Sequence, residues 1–316
     1  MAAIRLQADE HPLIEDEPPA TPSEHCLRLM HLRAYDEAVA HAADRDVLDV
    51  GCNTGYGTLR FAPVARRVVG VDVSPRAIDA ARQRAAGGRP EFVVTSGTEL
   101  PFPDDSFDLV SSFQVLEHVP DPLVYLKEIA RVARPGAIVI LATPNAATRL
   151  DPGMTPWNRF HVHEYTAAEL RDLLLGVFPL VRVLGMFGAT ELYETEIQRV
   201  DAARRRIRRT NEAAARRAAE PTPKPARRQR ALPVRIARTV LPAFLRAWLR
   251  SILEPARTPT AGALSPAEPP AGEPPLLDLE SFLRFSVDDL FYAETDLDRS
   301  MDLLAICHLS RAPAPG

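Results

Sequence analysis

From Asp46 to Met186, short runs of Val, Ile and Leu alternate with stretches whose apolar positions recur every three or four residues, the pattern of parallel βα units. The runs DVLDV (46–50), RVVGVDV (67–73), EFVVT (91–95), FDLVSSF (107–113), AIVILAT (137–143) and LVRVLGMF (180–187) predict six strands, and DLLAICHL (302–309) a last one. Their near-continuous apolar character implies burial on both faces, as in a sheet covered by helices. Between them, Ser74 with Pro75 and Asp121 with Pro122 predict helix starts, because each pairs a capping side chain with a proline that needs no donor. Thr166 with Glu169 three residues on is a capping box. The expected fold class is α/β, a doubly wound seven-stranded sheet.

The pattern breaks after about residue 190. A basic, alanine-rich helix candidate leads into a Pro-rich stretch, and the segment 232–253 carries Leu241, Leu245, Trp248 and Ile252 on one stripe with Arg246 and Arg250 off it, a basic amphipathic helix. Seven prolines then fall between Ser251 and Pro275, a composition that resists a packed core. The expected organisation is a disordered tail (1–22), a core (23–190), a basic helical and Pro-rich insertion (191–275) and a return of the core (276–312).

Composition changes this picture in two ways. The net charge of −4 conceals a segregation, since residues 201–250 hold fifteen Lys and Arg against three acids. That insertion reads as a lid, a surface for anionic lipid headgroups, a nucleic-acid patch or a solvated arginine face, and the scarcity of stacking aromatics argues against nucleic acid. The three cysteines form no CxxC pair, and neither a secretion signal nor an apolar run of spanning length is visible, so a cytoplasmic protein is expected, with peripheral contact at a membrane open to it.

The first strand stops in "DVGCNTGYGT". A strand that ends in a glycine turn brings backbone N–H groups to a ligand at the carboxyl edge of the sheet. A dinucleotide turn needs G-x-G-x-x-G, and Asn53 and Tyr56 stand at those offsets from Gly51. With Asp49 two residues before the turn, S-adenosylmethionine suits it better: it has no pyrophosphate, and its ammonium and sulfonium tolerate a nearby carboxylate. Asn53 is among the few side chains that adopt the left-handed conformation. Asp72 ends the second strand 21 residues past Gly51, the spacing at which an acid meets ribose hydroxyls, although the same residue suits a capping role for the helix that follows.

Taken in order, "VLDVGCNTGYGT", "VVGVDVSPRAIDAAR", "SGTELPFPDDSFDLVSSFQVLEHVPDP" and "RVARPGAIVILATPN" resemble the successive motifs of class I S-adenosylmethionine-dependent methyltransferases of the type 11 kind. The resemblance spans about residues 35–187 and resumes at the last strand. It implies a Rossmann-like sheet whose last strand is antiparallel, with the insertion before it. It also implies that Asp49, Gly51 and Gly55, with Cys52, Asn53 and Tyr56 in the same turn, surround the methionine part of the cofactor. Asp72 and Val73 then meet the ribose, Gly97 and Thr98 the adenine, and Gln114 the mouth of the site. Asn53 and Ser96 depart from the pattern of the family.

The acceptor is read from the histidines. The chain lacks the N/D-P-P-Y/F signature of enzymes that methylate planar amino groups. A hydroxyl acceptor needs its proton removed, and His is the commonest base at neutral pH. His118 in "LEHVPD" reads either as a base or as a packing residue under the cofactor. His161 and His163 share a side of an extended segment, so one of them, oriented by Glu164, is a candidate base, with a structural hydrogen bond and a metal pair as the competing readings. No metal is assigned. The run "ATPNAATRLDPGMTPWNRFHVHEYTAAELRDLL" is similar to a subset of these methyltransferases, including actinobacterial glycan and mycofactocin oligosaccharide enzymes, that act on sugar hydroxyls, and this resemblance implies His161 and Glu164 as the acting pair. The resulting expectation is O-methylation of a saccharide. The alternatives are a quinone-like or polyketide acceptor, and a protein that binds S-adenosylmethionine without turnover.

Overall fold

The apolar runs pair as their composition demands, into one mixed sheet. The computed structural model describes residues 18–97, 99–219 and 278–310. The expectations for most of the N-terminal tail, for Thr98, for the amphipathic segment 232–253 and for the Pro-rich stretch lie outside the described residues. Strands β1 (Asp46–Val50), β2 (Arg67–Asp72), β3 (Glu91–Val94), β4 (Phe107–Phe113), β5 (Ala133–Pro144), β6 (Leu180–Gly188), β7 (Leu290–Ala293) and β8 (Asp302–His308) lie in the order β3-β2-β1-β4-β5-β8-β6-β7. Strands β1 to β5 pair in parallel, and β8 runs antiparallel to both β5 and β6 between which it is inserted.

The sheet therefore has eight strands where seven were expected. The extra one, β7, pairs antiparallel with β6 at the edge. It is four residues long and only Leu290 is buried, while Phe291 is 53% exposed. A short, half-exposed edge strand leaves almost no periodicity to read. β5 also starts earlier than its apolar run, at Ala133, where a register shift between Phe107 and Leu109 admits the extra residues.

Helices close both faces. On one, α3 (Pro122–Val132) and α5 (Ala167–Leu175) pack Leu126, Ile129, Leu170 and Leu174 against Leu48, Val110, Val139 and Leu303. On the other, α1 (Pro22–Val39) places Ala34, Tyr35 and Ala38 against Val47, Leu109, Ile140 and Leu304. Between these, α2 (Pro75–Arg84) packs Ile78 and Ala81 on Cys52 and Phe92. The caps form as predicted: Ser74 accepts from the Ala77 N–H, Asp121 from the Val124 N–H, and Thr166 and Glu169 close a reciprocal box. The short helix α4 (Ala146–Arg149) follows β5, α6 (Thr190–Ala219) follows β6, and α7 (Leu279–Phe282) precedes β7. The chain divides into two compact units, residues 1–208 with 275–316, and residues 209–274; of the second, the described part is the end of α6.

Beneath the turn that follows β1, Asp49 is buried, and its carboxylate accepts from three hydroxyls: Tyr35 Oη at 3.1 Å, Thr58 Oγ1 at 2.6 Å and Ser111 Oγ at 2.8 Å. Burial pushes its pKa up to about 6 against the pull of these donors. Gly57 has an ordinary φ of −82°, yet a Cβ on it would lie 2.0 Å from the Tyr35 ring. This glycine is required by close approach and not by conformation.

Two outcomes are expected. Gly57→Ala should destabilise the protein by about 1–3 kcal/mol through overpacking, read as a lowered denaturant midpoint; an unchanged midpoint would remove the close-approach argument. A carboxyl that keeps its proton to higher pH when folded than when unfolded makes the folded state the more proton-binding one in that window, so its contribution falls as pH rises. Asp49→Asn should accordingly gain on the wild type by up to about 3 kcal/mol from about pH 4 to about pH 7. A stability difference that stays flat over that range contradicts the burial of a charge-prone carboxyl there.

Candidate active site

A cavity of about 260 Å³ opens at the carboxyl ends of β1, β2 and β4, where a doubly wound sheet presents its loops. Its walls include Gly51, Asn53, Asp72, Val73, Gly97, Gln114 and His118 among the predicted residues. Asn53 has the left-handed conformation expected of it, with φ of +46°. Its N–H donates to one oxygen of the Asp72 carboxylate at 2.9 Å, and the Ser74 N–H donates to the other at 2.9 Å. Asp72 is thus fixed by the turn and by the start of α2 together, at the wall of the cavity. The remaining walls are largely apolar, among them Leu100, Val119, Val124 and Tyr125. Gly51, at φ of +80°, sits under Val115, whose methyl would be 2.3 Å from an added Cβ.

Other predicted residues stand outside the cavity walls. Asp49 turns to the three hydroxyls described above. Cys52 is packed against α2 in the cluster with Phe92, and burial raises its thiol pKa. Gly55 is pressed against the same Phe92 ring, 2.7 Å from an added Cβ. Tyr56 lies behind the turn, its Oη 3.0 Å from His31 Nδ1 and its ring edge-on to Tyr35. These four shape the turn from beneath.

The predicted catalytic residues come together at the edge of the cavity, through two loops. The loop after β4 forms a short 3-10 turn, Leu116–His118, and the Glu117 carbonyl accepts from the Val162 N–H at 2.7 Å and the His163 N–H at 3.3 Å. His118 Nδ1 donates to the Phe160 carbonyl at 2.9 Å, and its ring meets that of His161 edge-on at 4.8 Å. His161 Nδ1 lies 2.7 Å from Glu164 Oε1. Glu164 is buried and takes both a 2.8 Å and a 3.1 Å hydrogen bond from the Arg149 guanidinium. Burial alone would raise its pKa, but His161 and Arg149 hold it below the usual carboxylate range. His163 points elsewhere, to the Tyr165 ring at 4.6 Å, so the H-x-H pair does not converge.

Glu117 is fully buried, with one oxygen accepting from Thr143 Oγ1 at 3.1 Å and the other without a hydrogen-bond partner among the described residues. Burial pushes its pKa up to about 8. A second, much smaller cavity is lined by Leu27, Met30, Pro144 and Met301 on its apolar side and by His31, Gln114, Arg149, Glu196, Arg199 and Asp302. Gln114 belongs to both cavities, and its amide donates to Asp302 Oδ2 at 2.7 Å. Arg149 and Asp302 were not foreseen. Asp302 had a signal, an acid opening an otherwise apolar strand; the pairing of Arg149 with Glu164 fifteen residues away had none.

Residues 48–141 match the family model described as a methyltransferase domain. A probable S-adenosylmethionine-dependent methyltransferase of Mycolicibacterium smegmatis is 40% identical over 168 residues, which cover 52% of this chain and 64% of that protein. One of Mycobacterium tuberculosis is 38% identical over 168 residues, covering 52% of this chain and 60% of its own. The chain thus spans less than two thirds of the length of these relatives. Among solved structures, the [4+2]-cyclase SpnF is similar at 18% identity, over 95% of this chain and 88% of that one, with a TM-score of 0.48. Residues 48–141, which carry the turn, Asp72 and the cavity walls, form a methyltransferase domain of the kind found in these S-adenosylmethionine-dependent relatives.

Proposed function

We propose that the protein transfers the methyl group of S-adenosylmethionine to a hydroxyl of a polyhydroxylated acceptor, a sugar of an oligosaccharide or glycoconjugate. The chemistry of the cavity suits the cofactor. Asp72 offers a fixed carboxylate to ribose hydroxyls, the apolar walls suit the adenine faces, and Gly51 and Asn53 bring backbone to the methionine end. When bound, the cofactor supplies an electrophilic methyl on a sulfonium; the protein's part is to hold the acceptor in line and handle its proton.

The observation that carries the acceptor class is the charged cavity on the other side of Gln114. There Arg149, Glu196, Arg199 and Asp302 stand among Leu27, Met30, Pro144 and Met301, and these polar groups beside the cofactor cavity favour a hydroxyl-bearing acceptor over a wholly apolar one. Arg149 also anchors Glu164, which anchors His161, which meets His118 at the wall of the cofactor cavity. The proton of the acceptor hydroxyl leaves through this cluster of His118 and His161. No helix among the described residues is long and apolar enough to cross a membrane. We place the reaction in the cytoplasm, with the basic 232–253 segment as the part that would meet a membrane surface bearing a lipid-linked acceptor.

Two measurements test this. In titration calorimetry, Asp72→Ala should weaken S-adenosylmethionine about tenfold or more, as the loss of charge-assisted hydrogen bonds predicts, with Asp72→Asn intermediate; unchanged affinity removes the ribose assignment. With glycan acceptors, His161→Ala should leave cofactor affinity unaltered and lower turnover by about 10²-fold or more. Equal turnover would take the proton-handling role away from His161.

A further inference from the structure

We propose that Glu117, His118 and His161 form a binding site for one divalent transition-metal cation of the zinc class, with an open position at the edge of the cofactor cavity. One ligand atom from each of the three lies within 4.8 Å of the other two, and His118 Nε2 is 3.9 Å from Glu117 Oε1. Bonds of about 2.0–2.2 Å at a tetrahedral ion set its ligand atoms about 3.3–3.6 Å apart, so the cluster needs to close by only about 1 Å.

Three features beyond proximity point to a cation. The first is the orphaned oxygen of Glu117. It is buried with no hydrogen-bond partner among the described residues, and a buried acceptor left unsatisfied is costly unless a donor or a cation meets it. The second is the orientation of the imidazoles. His118 Nδ1 faces a carbonyl, which only accepts, so Nδ1 carries the hydrogen and the neutral ring has its lone pair on Nε2. His161 Nδ1 faces the Glu164 carboxylate, itself held by Arg149, and its neutral ring is likewise left with the lone pair on Nε2. Carbonyl and carboxylate partners on the far nitrogen are the arrangement that orients and strengthens metal-binding histidines. The third is rigidity: the two loops that carry the ligands are tied by the Glu117 carbonyl and the Val162 and His163 N–H groups, so the cluster persists without an ion.

The donor set selects the ion class. Two imidazoles and one carboxylate suit zinc and its neighbours, whereas magnesium and calcium prefer oxygen alone. Three protein ligands leave a fourth position, and because His118 also lines the cofactor cavity, an acceptor hydroxyl is the ligand that position would take. That last step deepens, and rests on, the proposed O-methylation, with the imidazoles then acting on the acceptor's proton through the cation, which would acidify a bound hydroxyl, and not as bases themselves; cation binding itself does not rest on it.

The test uses the full chain, stripped with a chelator and titrated with Co²⁺ by visible absorption and with Zn²⁺ by calorimetry. One ion per chain is expected, with Glu117→Gln and His161→Gln each weakening it roughly tenfold or more. His163→Gln, on the same H-x-H but turned to Tyr165, should bind as the wild type does. No stoichiometric uptake by the intact protein overturns the site, and so does a His163 effect equal to that of His161. Retained S-adenosylmethionine binding shows that each variant is folded. The same cofactor titration separates the two readings. Cofactor binding without metal uptake removes the cation site and leaves the methyltransferase reading; metal uptake without cofactor binding supports the site and removes that reading.

Discussion

A single carboxylate without access to water holds the cofactor turn in place. Asp49 sits at the end of β1 and collects hydroxyls from α1, from the 3-10 turn after Gly57 and from β4. Each donor comes from a different element, so the position of the turn is defined by all of them at once. The closeness of Tyr35 to Gly57 follows from the same arrangement, since the ring must pass over the turn to reach the acid. Desolvation of Asp49 is the cost of this arrangement, and three hydroxyls offset only part of it.

The other half of the site depends on backbone. Glu117 contributes its carbonyl to the loop that carries His161, while Phe160 of that loop contributes its carbonyl to His118. The exchange runs both ways, one leg from backbone to backbone and the other from the His118 side chain to backbone. It explains why histidines 43 residues apart in sequence meet edge-on at the carboxyl edge. Burial of the Arg149–Glu164 pair then sets the orientation of His161 from behind.

What the sequence made legible was what local physics decides. The strands of the core are buried on both faces and read as apolar runs; Ser74, Asp121 and Thr166 are caps because their side chains satisfy donors within three residues. Asn53 was recognisable as left-handed because few other side chains tolerate that conformation. Asp72 ends β2 and lines the cavity, where its distance from the turn put it. The illegible parts depend on tertiary placement. Whether a turn residue faces a cavity or the core, as with Cys52 and Tyr56, follows from how α2 and α1 pack, and neither spacing nor composition records that. β7 escaped because half of it faces solvent, and the Arg149–Glu164 pair because nothing local joins its members.

The place of β8 has a consequence for how the chain reaches this state. It is the last strand in sequence yet lies inside the sheet, bonded to β5 on one side and β6 on the other. Until residues 302–308 have left the ribosome, β5 and β6 have no common neighbour, and each presents an unpaired apolar edge. More than a hundred residues separate β6 from the strand that joins it to the rest. Such non-local pairing is slow, because the chain must close a long loop before the contact rewards it. During synthesis the nascent protein therefore passes through a stage with two sticky edges, in which the half that binds the cofactor can form before the half that completes the sheet.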